Sequence, residues 1–461
     1  MRAQPLHKQA SIAYALQSPI PLAAGAYIGG ALLTLLVARL AFGPAVGLRA
    51  AITSGHVVAG LAVAAGLGAW VQGRLAPARF WQLVWALVLA LALAAIVAGA
   101  PLTRAYGDSE YLLARVGSGT PVAKWLAGTA LADWLHAAVW EFPPAAAALP
   151  PALAAPAGFW GAIGALAMAV AALWILQRWP DRLAAVLPML TPIWLMLAAG
   201  YLEYYPLIAG ALLGALLWLL DGRLAERSPR AVGLVIATLP LLYIGFIPLS
   251  ALIAAAYALA APRRLLPALG WALIGFAALA AVLWPAGVAD YLRTMNGQYM
   301  FGEAFTDPRY RGQVAGEHSI FFRAGYALSA ARLREVAAMY FWAGGLLAPP
   351  VLLGCAAYLA RAGRLPRRLP ARTSRLWAAL ALLAWQGFYL LFMIPKLGPV
   401  RDIDLFFAAY LTVALLAGLA ADAALPPAAA GRARVALCAA VLGSTAISSL
   451  FLMRLGLPGL S

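Results

Sequence analysis

The sequence predicts an all-α polytopic membrane protein, from its composition and from the length of its apolar runs. Of its 461 residues, 64% are hydrophobic and only 11% are charged, a balance outside the range of soluble domains. Apolar runs of about 18 to 22 residues, the length of a membrane-spanning helix, recur along the whole chain. These runs lack the alternation that is typical of outer-membrane barrel strands, so the spans are predicted to be helices.

We predict about thirteen spans, within a range of eleven to thirteen, in a single transmembrane domain that covers residues 1–461. They lie at about 21–42, 53–72, 81–99, 158–177, 183–200, 206–220, 231–246, 247–261, 268–285, 340–360, 377–394, 404–420 and 435–453. The first apolar run lacks a small-residue cleavage site, so it is predicted to remain as a span. Residues 231–261 divide weakly around Gly245-Phe246-Ile247-Pro248, which predicts two short or re-entrant helices.

The basic residues decide the predicted topology. With a cytoplasmic amino terminus, 19 of the 33 lysines and arginines fall in inner segments with four acids, whereas twelve acids and thirteen basic residues lie outside. This asymmetry follows the positive-inside rule. The net charge of +17 is therefore mostly a topology signal and a match to anionic cytoplasmic lipid. We predict membrane lipids as partners, and nucleic acid is not needed to explain the charge.

Two long segments, 100–157 and 286–339, are predicted to lie outside the cytoplasm. Each contains an amphipathic stretch that is expected to form an interfacial helix along the membrane surface. The apolar members are Trp125, Leu126, Leu131, Trp134, Leu135 and Trp140 in the first segment, and Phe321, Phe322, Tyr326, Leu328, Leu333 and Tyr340 in the second.

Four polar clusters fall on the predicted outer side. They are Arg104, Asp108 and Glu110; Glu203, Tyr204 and Tyr205; the segment from Tyr299 to Arg323 with Glu317 and His318; and the segment from Lys396 to Phe406 with Arg401, Asp402 and Asp404. Asp108 and Glu110 follow a span directly, where carboxylates are costly to place and suited to general base catalysis. A solvated loop that ends a helix is the alternative there. Arg401 could instead pair with a neighbouring carboxylate and fix the entrance of the next helix.

The residue types in these clusters favour chemistry on a lipid-linked phosphate. The chain has no Gly-x-x-x-x-Gly-Lys-Ser/Thr loop and no dinucleotide fingerprint. An enzyme working outside the cytoplasm would therefore need a preactivated, lipid-linked substrate. Basic side chains would hold its phosphate, aromatic rings would stack on a sugar, and a carboxylate would remove the proton from the attacking hydroxyl.

Three stretches resemble the GT-C superfamily of integral-membrane glycosyltransferases, in particular poorly characterised bacterial members. They are 107–111, 200–206 and 396–406, and the resemblance covers about residues 80–420. It implies a GT-C-like fold, a polyprenyl-phosphate sugar donor, and a glycan, lipid or protein acceptor. It also implies a bacterial inner membrane with the active site on the extracytoplasmic face. The acidic residue of the family commonly follows the first span, whereas Asp108 follows the third, so residues 1–75 would be an added helical pair.

Carried onto this sequence, the resemblance implies a role for each cluster. Asp108 would be the general base beside Glu110. Glu203, Tyr204, Asp402 and Asp404 would bind the acceptor, and His318, Arg323, Lys396 and Arg401 would surround the donor phosphate. The carboxylates could hold a divalent cation such as Mg²⁺ or Mn²⁺. Two other readings stay open: an O-antigen polymerase or ligase, which relies on loop arginines and a histidine, and a transporter or flippase of lipid-linked intermediates.

Overall fold

The described part of the protein is built from helices, joined by turns and by one isolated antiparallel bridge. The structure is a computed structural model, and it describes residues 19–42, 86, 156–180, 182–198, 205–283, 321–345, 348–361, 373–394, 403–425 and 431–455. The α-helices are α1 (Pro19–Phe42), α2 (Pro156–Arg178), α3 (Leu183–Met189), α4 (Pro192–Ala198), α5 (Tyr205–Leu220), α6 (Pro229–Leu242), α7 (Ile247–Ala260), α8 (Leu265–Leu283), α9 (Ala324–Ala327), α10 (Ala330–Met339), α11 (Ala348–Arg361), α12 (Thr373–Phe392), α13 (Phe407–Ala424) and α14 (Gly431–Leu455). Among these residues there is no strand, which confirms the predicted all-α class.

Among the described residues, three helices are long and apolar enough to cross a membrane: Phe159–Arg178, Pro262–Val282 and Phe407–Ala424. A fourth span results if the bent pair Ala330–Gly344 and Ala348–Arg361 is counted as one. The apolar helices are compatible with a membrane protein. The count of about thirteen spans stays a prediction, because the predicted spans 53–72 and 81–99 lie almost wholly outside the described residues.

α13 forms the centre of the described bundle. In this helix 72% of the residues of the span are buried, whereas in Pro262–Val282 only 11% are. α13 packs against α3, α5, α11 and α12. The long apolar helix that ends at Leu283 instead exposes Leu266, Leu273 and Ile274. A helix that is apolar all round belongs either in a large core or in lipid, and these two helices illustrate both cases.

The predicted span 183–200 is broken into α3 and α4. Pro188 lies inside α3, and Pro192 opens α4. Proline lacks a backbone donor and cannot continue a helical hydrogen-bond ladder. Thr191 bridges the gap, since its hydroxyl donates to the carbonyl oxygen of Pro188 at 2.7 Å and accepts from the amide of Trp194 at 3.3 Å.

The division predicted near Gly245 is present. α6 and α7 have 14 residues each and are joined by the short turn Ile244–Phe246. Fourteen helical residues rise about 21 Å, less than the roughly 30 Å hydrocarbon core. The two helices pack against each other, so they form a short hairpin, as the sequence predicts.

The amphipathic stretch of the second long segment forms α9 and α10. α10 continues into the π-helical turn Tyr340–Gly344. Gly345 then takes φ +82°, a conformation that favours glycine, and α11 leaves at 89° to the preceding helix. The interfacial orientation of this stretch stays a prediction, because a bend of this kind also fits a single span that is broken near Gly345.

Candidate functional site

Most of the predicted site residues lie outside the described residues. These are Asp108, Glu110, Glu203, Tyr204, His318, Lys396, Arg401 and Asp402. Arg323 is described and exposed just before α9, where its carbonyl oxygen accepts hydrogen bonds from the amides of Tyr326 and Ala327, both at 3.0 Å. Asp404 belongs to the turn Ile403–Phe406 that leads into α13. The described residues that flank the other three clusters define the geometry of the candidate site.

Four aromatic rings, Tyr205, Tyr243, Phe246 and Phe407, form a continuous group that we call the aromatic cluster. The rings of Tyr205 and Phe407 have centroids 5.5 Å apart, and Tyr205 and Tyr243 meet edge to face at 6.4 Å. Phe246 contacts Tyr243 at 5.3 Å and Phe407 at 6.5 Å. The aromatic cluster therefore joins the start of α5, the turn between α6 and α7, and the start of α13.

A short extended contact joins the predicted outer segment before α9 to the end of α12. The amide of Phe322 donates to the carbonyl oxygen of Phe392 at 2.8 Å, and Phe321 pairs with Met393 in an isolated antiparallel bridge. Tyr389 of α12 also contacts Phe406, with ring centroids 5.8 Å apart. The end of α12 therefore touches both the segment that carries Arg323 and the turn that leads into α13.

Arg332 holds the end of α12. Its side chain is fully buried, and its Nη2 donates to the carbonyl oxygens of Leu390 at 2.9 Å and Met393 at 2.8 Å. Its Nε donates to the carbonyl oxygen of Leu391 at 3.2 Å, and its Nη1 pairs with Glu335 at 3.0 Å. The last carbonyls of a helix lack partners within the helix, and a cation there also meets the negative end of the helix dipole.

Sequence reasoning did not single out Arg332. The available signal was its position, because Arg332 precedes Met339 by seven residues and so lies on the same helical face as this buried residue. A basic residue on the buried face of an amphipathic helix needs several acceptors. The phenyl ring of Phe322 completes the environment, with the guanidinium carbon 4.7 Å from the ring centroid.

These contacts bring together helix ends that the predicted topology assigns to the outer side. The first residues of α5 and α13, the end of α12 and the segment at Arg323 all meet at one end of the bundle, which we call the aromatic end. Each of these points adjoins one of the polar clusters: Tyr205 belongs to the cluster with Glu203, Phe392 precedes Lys396, and Phe407 follows Asp404. The cluster of Asp108 and Glu110 lies outside the described residues.

The opposite end of the bundle, which we call the arginine end, gathers helix ends that are predicted to be cytoplasmic. Asp422 near the end of α13 contacts Arg434 near the start of α14 at 2.9 Å, and Asp221 after α5 contacts Arg227 at 2.5 Å. Arg264 before α8 donates to the carbonyl oxygen of Ala225 at 3.3 Å. The separation of the two sets of ends agrees with the alternation of the predicted topology.

No group of three or more histidine, cysteine or acidic residues that could hold a metal ion occurs among the described residues. The carboxylates predicted as metal ligands are not described with their side chains, so a Mg²⁺ or Mn²⁺ site stays a prediction.

Comparison with known protein families, with curated proteins and with solved structures finds no match for this chain.

Proposed function

We propose that this protein is an extracytoplasmic glycosyltransferase of the GT-C type, in a bacterial inner membrane, that moves a sugar from a polyprenyl-phosphate donor to a glycan, lipid or protein acceptor. Asp108 is the general base in this proposal, assisted by Glu110. Glu203, Tyr204, Asp402 and Asp404 bind the acceptor or a divalent cation, and His318, Arg323, Lys396 and Arg401 bind the donor phosphate.

The observation that carries the proposal is the contact between Tyr205 and Phe407, with ring centroids 5.5 Å apart. These residues flank two polar clusters that lie about 200 positions apart in the sequence. Tyr205 follows Glu203 by two residues in the sequence, and Phe407 follows Asp404 by three. The contact supports one composite site rather than independent polar loops.

The hydrogen bond from the amide of Phe322 to the carbonyl oxygen of Phe392 supports the contribution of a third polar segment to the aromatic end. Arg323 follows Phe322 directly, and Lys396 lies three residues after Met393 in the sequence. Guanidinium and ammonium groups bind phosphate oxygens through charge-assisted hydrogen bonds. Carboxylates, cations and aromatic faces at a single membrane interface match the requirements of a lipid phosphate, a sugar ring and an attacking hydroxyl.

The proposal is tested by sugar transfer in proteoliposomes with a panel of radiolabelled polyprenyl-phosphate sugars. The wild-type protein is expected to release polyprenyl phosphate from at least one donor. Asp108→Asn is expected to lower turnover by about 10² to 10⁴ fold, because the amide keeps the shape of the side chain but cannot accept a proton. Asp133→Asn makes the same change elsewhere in that predicted outer loop and should leave turnover unchanged.

Three results would count against this assignment in different ways. Normal turnover in Asp108→Asn would move the base to Glu110, Glu203 or the Asp402 and Asp404 pair. Loss of turnover in His318→Ala with normal turnover in Asp108→Asn would favour a polymerase or ligase. Consumption of no donor by the wild-type protein would contradict glycosyl transfer altogether.

One observation favours a transporter of lipid-linked intermediates as a second candidate. The break between α3 and α4 meets the break between α10 and α11: Thr445 of α14 donates to the carbonyl oxygen of Leu190, and Ser448 donates to that of Phe341 at 3.4 Å. Discontinuous helices that meet inside a bundle are typical of transporters. However, the cavity at this junction has a volume of about 10 Å³, which suits one water molecule and no lipid-linked sugar.

A further inference from the structure

The arginine end contains a pocket that the proposed sugar-transfer site does not use. Its volume is about 780 Å³, within the range of pockets that bind small molecules and headgroups. The wall combines the end of α2, the start of α3, the end of α5 with the following turn, and one residue of α13. It lies at the opposite end of the bundle from the aromatic cluster.

Four arginines and two acids, Asp221 and Glu226, line the pocket, so cationic groups are in excess. Asp221 is already engaged, because its carboxylate accepts from the guanidinium of Arg227 at 2.5 Å and from the backbone amide of Arg223 at 2.8 Å. Arg178, Arg182 and Arg223 also line the pocket and are exposed. Within the described part of the chain, the guanidinium groups of these three residues form no ion pair.

Arg227 forms the rigid side of the pocket. Its guanidinium lies 5.5 Å from the ring of Trp218, and its carbonyl oxygen accepts from the hydroxyl of Tyr257 at 3.1 Å. Its Nε is buried and has no hydrogen-bond partner among the described residues. An unmade hydrogen bond of a buried cationic group is costly, and Arg227 is itself a lining residue of the pocket.

One wall of the pocket continues to the apolar outer surface of the bundle. Trp179 lines the pocket and meets Trp174 edge to face, with ring centroids 5.7 Å apart. Trp174 is 51% exposed on the apolar helix α2, where the surrounding medium of a membrane protein is lipid. Tryptophan favours the membrane–water interface. A ligand with a phosphate group in the pocket could therefore extend its acyl chains past Trp179 into lipid.

We propose that this pocket is a second anion site, which binds the phosphate of an anionic lipid headgroup or a free phosphate from the cytoplasm through Arg178, Arg182 and Arg223. Planar guanidinium groups bind phosphate oxygens in a bidentate manner. Basic pockets between helices on the cytoplasmic side are a recognised type of lipid headgroup site. The proposal is independent of the sugar-transfer reaction and would stand if that reaction were disproved.

The test is a lipid titration of the purified full-length protein, in which bound lipid is measured by native mass spectrometry. The probes are dioleoylphosphatidylglycerol and, as a lipid without phosphate, dioleoylglycerol. The pocket variant carries Arg178→Gln, Arg182→Gln and Arg223→Gln, all at exposed positions. The control variant carries Arg263→Gln, Arg361→Gln and Arg432→Gln, which remove the same charge from the same predicted side but do not line the pocket.

The pocket variant is expected to bind phosphatidylglycerol at least about tenfold more weakly than the wild type, since each charge-assisted bond to phosphate is worth a tenfold change or more. The control variant should bind within about twofold of the wild type, because distant exposed charges are screened. If excess inorganic phosphate displaces the lipid, free phosphate is a ligand of the pocket. If it does not displace the lipid, the ligand is the lipid headgroup. Equal losses in both variants, no loss in the pocket variant, or an equal loss of dioleoylglycerol binding would overturn the proposal.

Discussion

The carboxylate of Asp422 accepts a hydrogen bond from Arg434 at 2.9 Å, and both side chains are buried, with exposed fractions of 7% and 6%. The same carboxylate accepts from the amides of Leu183 at 2.8 Å and Ala184 at 3.1 Å. It therefore caps the start of α3 while it joins the end of α13 to the start of α14. Arg434 also donates to the carbonyl oxygen of Leu425 at 2.6 Å, so a single ion pair ties three helices together.

We expect Asp422→Ala to destabilise the protein by about 3 to 5 kcal/mol, because it leaves a buried guanidinium without its counter-charge and two helix-initiating amides without an acceptor. The measurement is the apparent melting temperature of the detergent-solubilised protein, which is monitored by size-exclusion chromatography with fluorescence detection. Glu226→Ala removes an exposed acid from the same end and should change the melting temperature little. Similar melting temperatures for the two variants would show that the ion pair contributes nothing measurable.

Only part of this arrangement was predictable from the sequence. The positive-inside rule assigned both Asp422 and Arg434 to the same side, because charge in short segments is a strong and local signal. The pairing itself, and the contact with α3, depend on how helices far apart in the sequence pack, and apolar periodicity does not specify that. The same reason explains why the central position of α13 was not predicted, since a buried helix and a lipid-facing helix are both apolar all round.

The arrangement of the polar clusters was likewise only partly predictable from the sequence. Their assignment to one side followed from topology, and the contacts of Tyr205, Phe392 and Phe407 now tie the flanks of three of them to one end of the bundle. Arg332 was missed because a charged residue in a predicted outer loop is expected to be solvated. Its burial depends on the carbonyls at the end of α12, and the sequence gives no indication that α10 packs there.

We expect Arg332→Lys to lower the melting temperature. A lysine ammonium has three donors on one atom, whereas the guanidinium of Arg332 spans the carbonyl oxygens of Leu390, Leu391 and Met393 as well as Glu335. Breaking such a buried network typically costs about 2 kcal/mol or more. Arg334→Lys is the matched control, because Arg334 is exposed on the same helix. A melting temperature of Arg332→Lys equal to that of the control would contradict a structural role for the guanidinium.

Cysteine labelling tests whether the two ends of the bundle lie on opposite sides of the membrane. In a background with Cys355→Ala and Cys438→Ala, Ala324→Cys at the aromatic end is expected to react with an impermeant maleimide in intact cells. Ala225→Cys at the arginine end should react only after permeabilisation. Both positions are exposed. Gly312→Cys and Pro370→Cys extend the test to the predicted outer and inner loops, and the reverse pattern in either pair would overturn the predicted topology.

The donor site is tested at Arg401. The loop between Ile394 and Ile403 contains two basic residues, Lys396 and Arg401, and Gly398-Pro399 between them can turn the chain so that both reach one anion. If Arg401 only balances Asp402 or Asp404, Arg401→Lys should behave like the wild type. If the Arg401 guanidinium binds a lipid phosphate in a bidentate manner, the lysine of the variant cannot replace it.

We expect Arg401→Lys to raise the apparent KM for the polyprenyl-phosphate donor by about tenfold, which corresponds to one lost charge-assisted hydrogen bond, with a smaller change in kcat. Lys396→Arg is the control in the same loop, since it keeps the charge and adds donors, and its KM should not rise. Both variants should stay monodisperse in detergent, which separates loss of donor binding from misfolding. An unchanged KM in Arg401→Lys would remove Arg401 from the phosphate site and leave it as the ion-pair partner of the helix entrance.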